Sequence, residues 1–86
     1  MGKSKERNND NYEIIAANIK KYRKLANLTQ AQLAELTHYS HEFIRRIEAP
    51  SSKKYFSIDT VVQISKALNI KIEKLFEGIN SKKDDN

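Results

Sequence analysis

Apolar residues recur at helical spacing along most of this 86-residue chain, in five successive segments. The first segment is marked by four apolar residues that follow one another at intervals of four, three and three: Ile15, Ile19, Tyr22 and Leu25. That spacing places the four side chains on one face of an α-helix. No segment shows a convincing strand pattern, so the sequence predicts an all-α fold.

Residues that favour helix ends divide the pattern into five predicted helices. We expect these helices at about 12–26, 30–37, 41–49, 58–68 and 72–77. Thr29, Ser40 and Ser57 stand directly before the second, third and fourth helices, where a hydroxyl can accept a hydrogen bond from a free backbone N–H. Asn27 suits the left-handed conformation that often follows a helix. Pro50 ends the third helix, because proline disfavours helical geometry at the residue before it.

The later helices each bring apolar positions to a shared core. These positions are Leu33, Ala34, Leu36, Ile44, Ile47, Ile58, Val61, Ile64, Leu68, Ile72, Leu75 and Phe76. Both ends of the chain are polar and lack such positions, which predicts flexible tails at residues 1–11 and 80–86. One compact domain is therefore expected at residues 12–79.

Composition narrows the class of protein. Hydrophobic residues make up 38% of the chain, which is enough for one small core. The absence of cysteine removes disulfides and cysteine-based zinc sites. The polar start lacks the apolar run of a signal peptide, and no apolar run approaches the roughly 20 residues of a membrane span. We therefore expect a cytoplasmic protein without a membrane segment.

The formal net charge of +5 favours a polyanionic partner, provided that the charge converges on one face. The third helix supplies such a face, with four polar positions at His41, Glu42, Arg45 and Arg46. Ile44 and Ile47 of the same helix face inward. The sequence thus predicts two short capped helices joined by a tight turn, which is the layout of a helix-turn-helix whose second helix lies in the DNA major groove.

The stretch from about Ile14 to Gly78 resembles the phage repressor/Cro-type helix-turn-helix domain, also called the Xre family. The matching residues are Arg23, Leu28 to Gln30, Leu33, Ala34, Ser40, Ile44, Ile47, Glu48, Ile58 to Val61, Ile64, Ala67 to Ile70, Leu75 and Phe76. The resemblance implies a compact five-helix, lambda-repressor-like domain that regulates transcription by binding specific DNA sequences. Two features depart from the family pattern. His38 stands in the turn where glycine is usual, and the loop after Glu48 is longer and lacks glycine.

Within that resemblance, the outward residues of the third helix are expected to contact bases; the alternative is an ordinary solvated helix face. Arg46 suits a two-pronged contact to guanine. His41 could donate to guanine or meet a phosphate, and Arg45 could equally serve a phosphate. Glu42 could accept from cytosine N4, or it could repel wrong bases and position a neighbouring arginine.

Further residues are expected to contact phosphate or to support the motif. Gln30 and Ser40 begin helices, where free N–H groups and the helix dipole favour anions. Ser40 could also serve as a cap with no ligand. The loop residues expected to follow the DNA backbone are Lys53, Lys54 and Tyr55, unless the loop is simply mobile and solvated. The resemblance also implies an ion pair between Arg23 and Glu48, in place of two unrelated surface charges.

We expect the domain to bind double-stranded DNA as a homodimer on a pseudo-palindromic operator, as a repressor or a restriction–modification controller does. Val62, Phe76 and Ile79 are candidates for the dimer interface, or alternatively for the core. No catalytic group, cofactor or effector domain is expected. A metal site is not expected either, because His38 and His41 belong to different elements and should diverge. The alternative function is a protein-interaction module or an antitoxin component that uses the same fold.

Overall fold

The computed structural model describes residues 3–50 and 55–79, with the backbone alone for residues 3–10. The described chain forms four α-helices, α1 (Lys3–Leu25), α2 (Gln30–Thr37), α3 (His41–Glu48) and α4 (Ile58–Leu68), followed by a 3₁₀ helix, η1 (Ile72–Phe76). It contains no strand in these ranges. The predicted all-α class is therefore confirmed.

The predicted fifth α-helix is wrong, because residues 72–76 form the tighter 3₁₀ turn. Its backbone bonds join residues three apart, as from Lys74 N–H to the Lys71 carbonyl. The Asn18 side chain of α1 occupies the carbonyls at the end of this segment, donating to Leu75 at 2.8 Å and to Glu77 at 2.9 Å. These bonds hold the short turn against α1.

The predicted start of the first helix is also wrong. The sequence places it near Tyr12, whereas α1 begins at Lys3. Residues 3–11 carry no apolar periodicity, but Lys, Glu and Arg lose little side-chain freedom in a helix. Adding residues to an existing helix also avoids the cost of a new nucleus. The C-terminal tail predicted at residues 80–86 lies outside the described residues.

The helix-turn-helix is shaped by its caps. Thr29 Oγ1 accepts from Gln32 N–H at 3.0 Å while Gln32 Oε1 accepts from Thr29 N–H at 2.8 Å, which forms a capping box at the start of α2. His38 ends α2 in the left-handed conformation, at φ 64° and ψ 17°. Ser40 Oγ then accepts from Phe43 N–H at 3.0 Å and starts α3. Histidine therefore takes the turn position that glycine usually fills, at a higher steric cost.

The core gathers apolar side chains from every element, and its members are Ile15, Ala16, Ile19, Leu33, Ala34, Ile44, Ile47, Val61, Ile64, Leu68 and Leu75. Three predicted inward residues are exposed instead: Leu25, Leu36 and Ile58. Leu25 and Ile58 are the terminal residues of α1 and α4, beyond the packed turns. Leu36 lies to one side of the α2 face that buries Leu33 and Thr37. Helical spacing therefore predicts the centre of a buried face better than its edges and its ends.

Candidate nucleic-acid interface

Helix α3 has a fully covered face and a fully open one. Its inward side chains Ile44, Ile47 and Glu48 are buried. Its outward side chains are exposed, and these are the four predicted base-contacting residues His41, Glu42, Arg45 and Arg46. Because Ser40 caps the helix, α3 begins in a fixed place and presents this open face as one unit.

Glu42 and Arg45 form an ion pair on the open face. Arg45 Nη2 donates to both carboxylate oxygens of Glu42, at 2.7 and 2.8 Å. This hydrogen bond from Arg45, together with its charge, lowers the pKa of Glu42, and the nearby charges of Arg46 and His41 act in the same direction. Conversely, the carboxylate of Glu42 raises the pKa of Arg45. Glu42 is therefore ionised at neutral pH and lies among three basic side chains.

Arg46 differs from its neighbour, because its guanidinium has no hydrogen-bond or ion-pair partner among residues 3–50 and 55–79. The side chain lies one turn after Glu42 on the same exposed surface. His41 opens the helix and is exposed as well. An arginine that is uncommitted in the free protein keeps all five donors available to a ligand.

The inward end of α3 is fixed to α1 by a buried ion pair. Arg23 Nε donates to Glu48 Oε2 at 2.7 Å, and Arg23 Nη2 donates to Glu48 Oε1 at 2.8 Å. The two side chains are only 8% and 2% exposed. Arg23 Nη1 also donates to the Leu28 carbonyl at 2.7 Å. The bonds from Arg23 to Glu48 raise the pKa of Arg23 despite its burial. The structure thus brings together the two residues that the resemblance pairs. Through Leu28, it also bonds Arg23 to the segment that connects α1 and α2.

Gln30 takes part in the same buried network, a role that the sequence did not reveal. Its Nε2 donates to Glu48 Oε1 at 3.0 Å. Glu48 therefore joins α1, α2 and α3 through one carboxylate. This bond uses one of the two N–H donors of the Gln30 side-chain amide. No spacing rule connects residues 18 positions apart, so only the fold could show this contact.

The end of the loop after α3 packs on the first helix through aromatic rings. Tyr55 is exposed, and its ring meets Tyr12 edge-on with the centroids 5.7 Å apart. Phe56 meets the same Tyr12 ring at 5.0 Å. The other predicted phosphate-contacting loop residues, Lys53 and Lys54, lie outside the described residues. Tyr12 is therefore a support for the loop that helical periodicity alone did not identify.

Metal-ligand clusters and membrane-spanning helices are both absent from the described ranges. No group of three or more His, Cys, Asp or Glu side chains there is arranged to hold a metal ion. None of the helices in the same ranges combines the length with the apolar character that a membrane span requires.

Comparison with known proteins agrees with the geometry of α2 and α3. The family described as helix-turn-helix matches residues 19–75, which contain both helices and the turn between them. Control protein C.SmaI of Serratia marcescens is 35% identical over 63 residues, and the aligned region covers 73% of each chain. No solved structure gives a significant match.

The chain therefore belongs to the Cro/C1-type, or Xre, helix-turn-helix family. Its class is that of the DNA-binding transcription regulators.

Proposed function

We propose that this regulator binds a pseudo-palindromic operator as a homodimer and controls transcription in the manner of a restriction–modification controller or a repressor. The observation that carries the proposal is the open face of α3, where exposed charged residues stand on a helix that is fixed to the scaffold by the buried Arg23–Glu48 pair. The similarity to a control protein supports the regulatory role.

In this proposal α3 enters the major groove with its four outward residues facing the base edges. Arg46 is assigned to guanine, because its exposed guanidinium can donate to O6 and N7 together. The proposed phosphate contacts are Ser40 and Gln30 at the two helix starts, and the loop residues Lys53, Lys54 and Tyr55. The two sets of contacts have different roles: the phosphate contacts fix the position of the protein on DNA, and the base contacts select the sequence.

Dimerisation supplies the second half of the site. A single α3 touches only a few base pairs, so two copies whose recognition helices lie one DNA turn apart, about 34 Å, would double the sequence read. Candidates for the surface between copies are Val62, Phe76 and Ile79, which are partly buried, and Ile58, which is exposed. Occupying such an operator would block RNA polymerase or place the protein beside it.

The competing function is a protein-interaction module or an antitoxin component. It would favour apolar side chains on the outward face of α3, because interface cores are depleted in charged residues. The observed face carries four polar or charged residues and favours DNA.

Selection from a random duplex library with the full chain tests the proposal directly. We expect enrichment of sites with two-fold symmetry, and sedimentation should show two chains on each enriched duplex. Enrichment of no sequence, or one chain on an asymmetric site, would contradict it.

Salt dependence then tests the proposed phosphate contacts. The affinity for the enriched duplex should fall with salt at a log–log slope of about −0.9 per neutralised phosphate. Lys53→Ala should make that slope shallower by about one unit. Lys66→Ala is the matched control, because Lys66 is an exposed lysine of α4 with no assigned contact, and it should leave the slope unchanged. Equal slopes for the two variants would mean that Lys53 does not contact a phosphate.

A further inference from the structure

The open face of α3 contains one acidic residue, Glu42, among its basic ones. The negative charge of Glu42 disfavours the binding of phosphate groups at this face. An ionised carboxylate beside DNA is repelled by the phosphates, so the charge of Glu42, taken alone, opposes the binding of this face to any duplex. Yet the carboxylate lies in the first turn of α3, where the helix brings it to the same surface as Arg45 and Arg46. The hydrogen bonds that Glu42 accepts from Arg45 indicate its role.

We propose that Glu42 is a positioning residue that sets sequence selectivity by holding Arg45 away from non-specific phosphate binding and in place for a base. The inference rests on the proposed function, because it requires α3 to lie in the groove. It concerns how one residue acts through another, which neither the family nor the similarity to a control protein assigns.

The geometry of the pair leaves Arg45 able to bind DNA while it is held. Both contacts to Glu42 use the same nitrogen, Nη2, at 2.7 and 2.8 Å. Nε and Nη1 have no partner within the described ranges. Arg45 can therefore keep Glu42 and still donate to guanine, whereas an unheld Arg45 could swing to the nearest phosphate of any sequence.

Two physical effects then act in the same direction. On random DNA, Glu42 adds repulsion and reduces the freedom of Arg45 to form a phosphate contact. On the operator, Arg45 is already ordered, so base binding costs less of the rotational freedom of a long side chain. Both effects widen the difference between operator and random DNA. Arg46, which has no such partner in the part of the chain that the structure describes, contributes to both kinds of binding.

The test measures the dissociation constants of wild type, Glu42→Gln, Arg45→Gln and the double variant on the selected operator and on random duplex of equal length. Glu42→Gln should bind random duplex more tightly and the operator less tightly, so that the selectivity ratio falls about tenfold. Glu35→Gln is the matched control: it removes the same charge from an exposed position of α2 outside the assigned contacts. It should change both constants by one common factor.

The double variant shows whether Glu42 acts through Arg45. If it does, the double variant should have the same selectivity ratio as Arg45→Gln alone. Independent, multiplied losses would instead mean that Glu42 reads a base directly, and the inference would be overturned.

The inference would also be overturned if Glu42→Gln behaved like Glu35→Gln, because the effect would then be one of overall charge. A wild type without any preference for the selected duplex would overturn the proposed function and the inference together. Normal wild-type selectivity with an unchanged Glu42→Gln ratio would overturn the inference alone.

Discussion

The two faces of α3 each carry a glutamate paired with an arginine, but the pairs lie in opposite surroundings. On the inner face, Glu48 binds Arg23, 25 residues away in the chain, and the two side chains are 2% and 8% exposed. On the outer face, Glu42 binds Arg45, three residues away, and each side chain is 58% exposed. Both pairs join a carboxylate to a guanidinium. The pairs therefore differ in the burial of their side chains and in the number of residues that separate the two partners in the sequence.

Because it is buried, the inner pair of Arg23 and Glu48 holds α3 rigidly against α1. Two charges removed from water are stable there only while every partner is present, and Glu48 has partners from both α1 and α2. The outer pair loses little when it opens, because water can replace each partner. The comparison suggests a division of labour in which the inner pair sets where α3 stands and the outer pair remains available to a ligand.

The largest expected effect comes from breaking the inner pair. Arg23→Ala leaves the buried carboxylate of Glu48 without its main partner and should lower the free energy of unfolding by about 3–5 kcal/mol. For a domain of this size that corresponds to a fall in melting temperature of roughly 12 °C or more. Thermal and urea unfolding followed by circular dichroism would measure it.

Two further variants control for that result. Arg45→Ala breaks the outer pair in the same manner and should change the melting temperature by no more than about two degrees. The double variant Arg23→Met/Glu48→Met replaces both buried charges with apolar side chains and should recover much of the loss. If Arg23→Ala and Arg45→Ala were equally mild, burial would not distinguish the two pairs.

A smaller effect, on binding and not on stability, should come from Arg46. Arg46→Lys keeps the charge but cannot reproduce the fork that binds guanine O6 and N7. We expect random-duplex affinity to be retained and operator binding to weaken by about 1–3 kcal/mol, concentrated at one base pair in each half-site. Competition binding on single-base variants of the operator would locate that base pair. Equal weakening on operator and random duplex would make Arg46 a phosphate contact.

The sequence predicted well the features that depend on local chemistry. Thr29, Ser40 and Ser57 cap helices as expected, and Asn27 adopts a left-handed conformation at φ 61°. These features depend on a residue and its near neighbours, which the sequence shows directly. Helical spacing also predicted the inward Ile44 and outward Arg46, because both follow from the 3.6-residue period.

The sequence did not predict features that depend on distant contacts. The bond from Gln30 to Glu48 and the support of Tyr55 by Tyr12 join separate elements. Likewise, the bond from the Asn18 side chain to the Leu75 carbonyl joins α1 to a segment far away in the chain. The pair between Arg23 and Glu48 was accessible only through resemblance to a family, since no rule of spacing connects the two residues.

An intermediate effect is expected at Ser40, where the inner and outer faces of α3 begin. Ser40→Ala removes the cap bond to Phe43 N–H and should cost about 1 kcal/mol of stability. Ser40→Asp keeps a good cap but places a carboxylate at the proposed phosphate contact. It should therefore retain stability and lose affinity for all duplexes. Ser57→Asp, at the cap of α4, is the control and should bind DNA more tightly than Ser40→Asp. Matching affinities for the two aspartate variants would leave Ser40 with a capping role only.

The smallest expected effect, on the stability contributed by the outer pair, depends on pH and salt. The pKa of Glu42 lies below its ordinary value of 4.5 in the folded protein, chiefly because Arg45 donates to it. A lowered pKa means that the ionised form is favoured by folding, so the contribution is present above pH 4.5 and is lost as the pH falls through the lowered value. Glu42→Gln should therefore melt no more than about two degrees below wild type at pH 7 and low salt. That difference should vanish in acid and in about 1 M salt, where exposed charges are screened. The penalty of Arg23→Ala should persist in the same salt, because the inner pair is buried. A Glu42→Gln difference that also persisted would mean that the outer pair is held by the fold as firmly as the inner one.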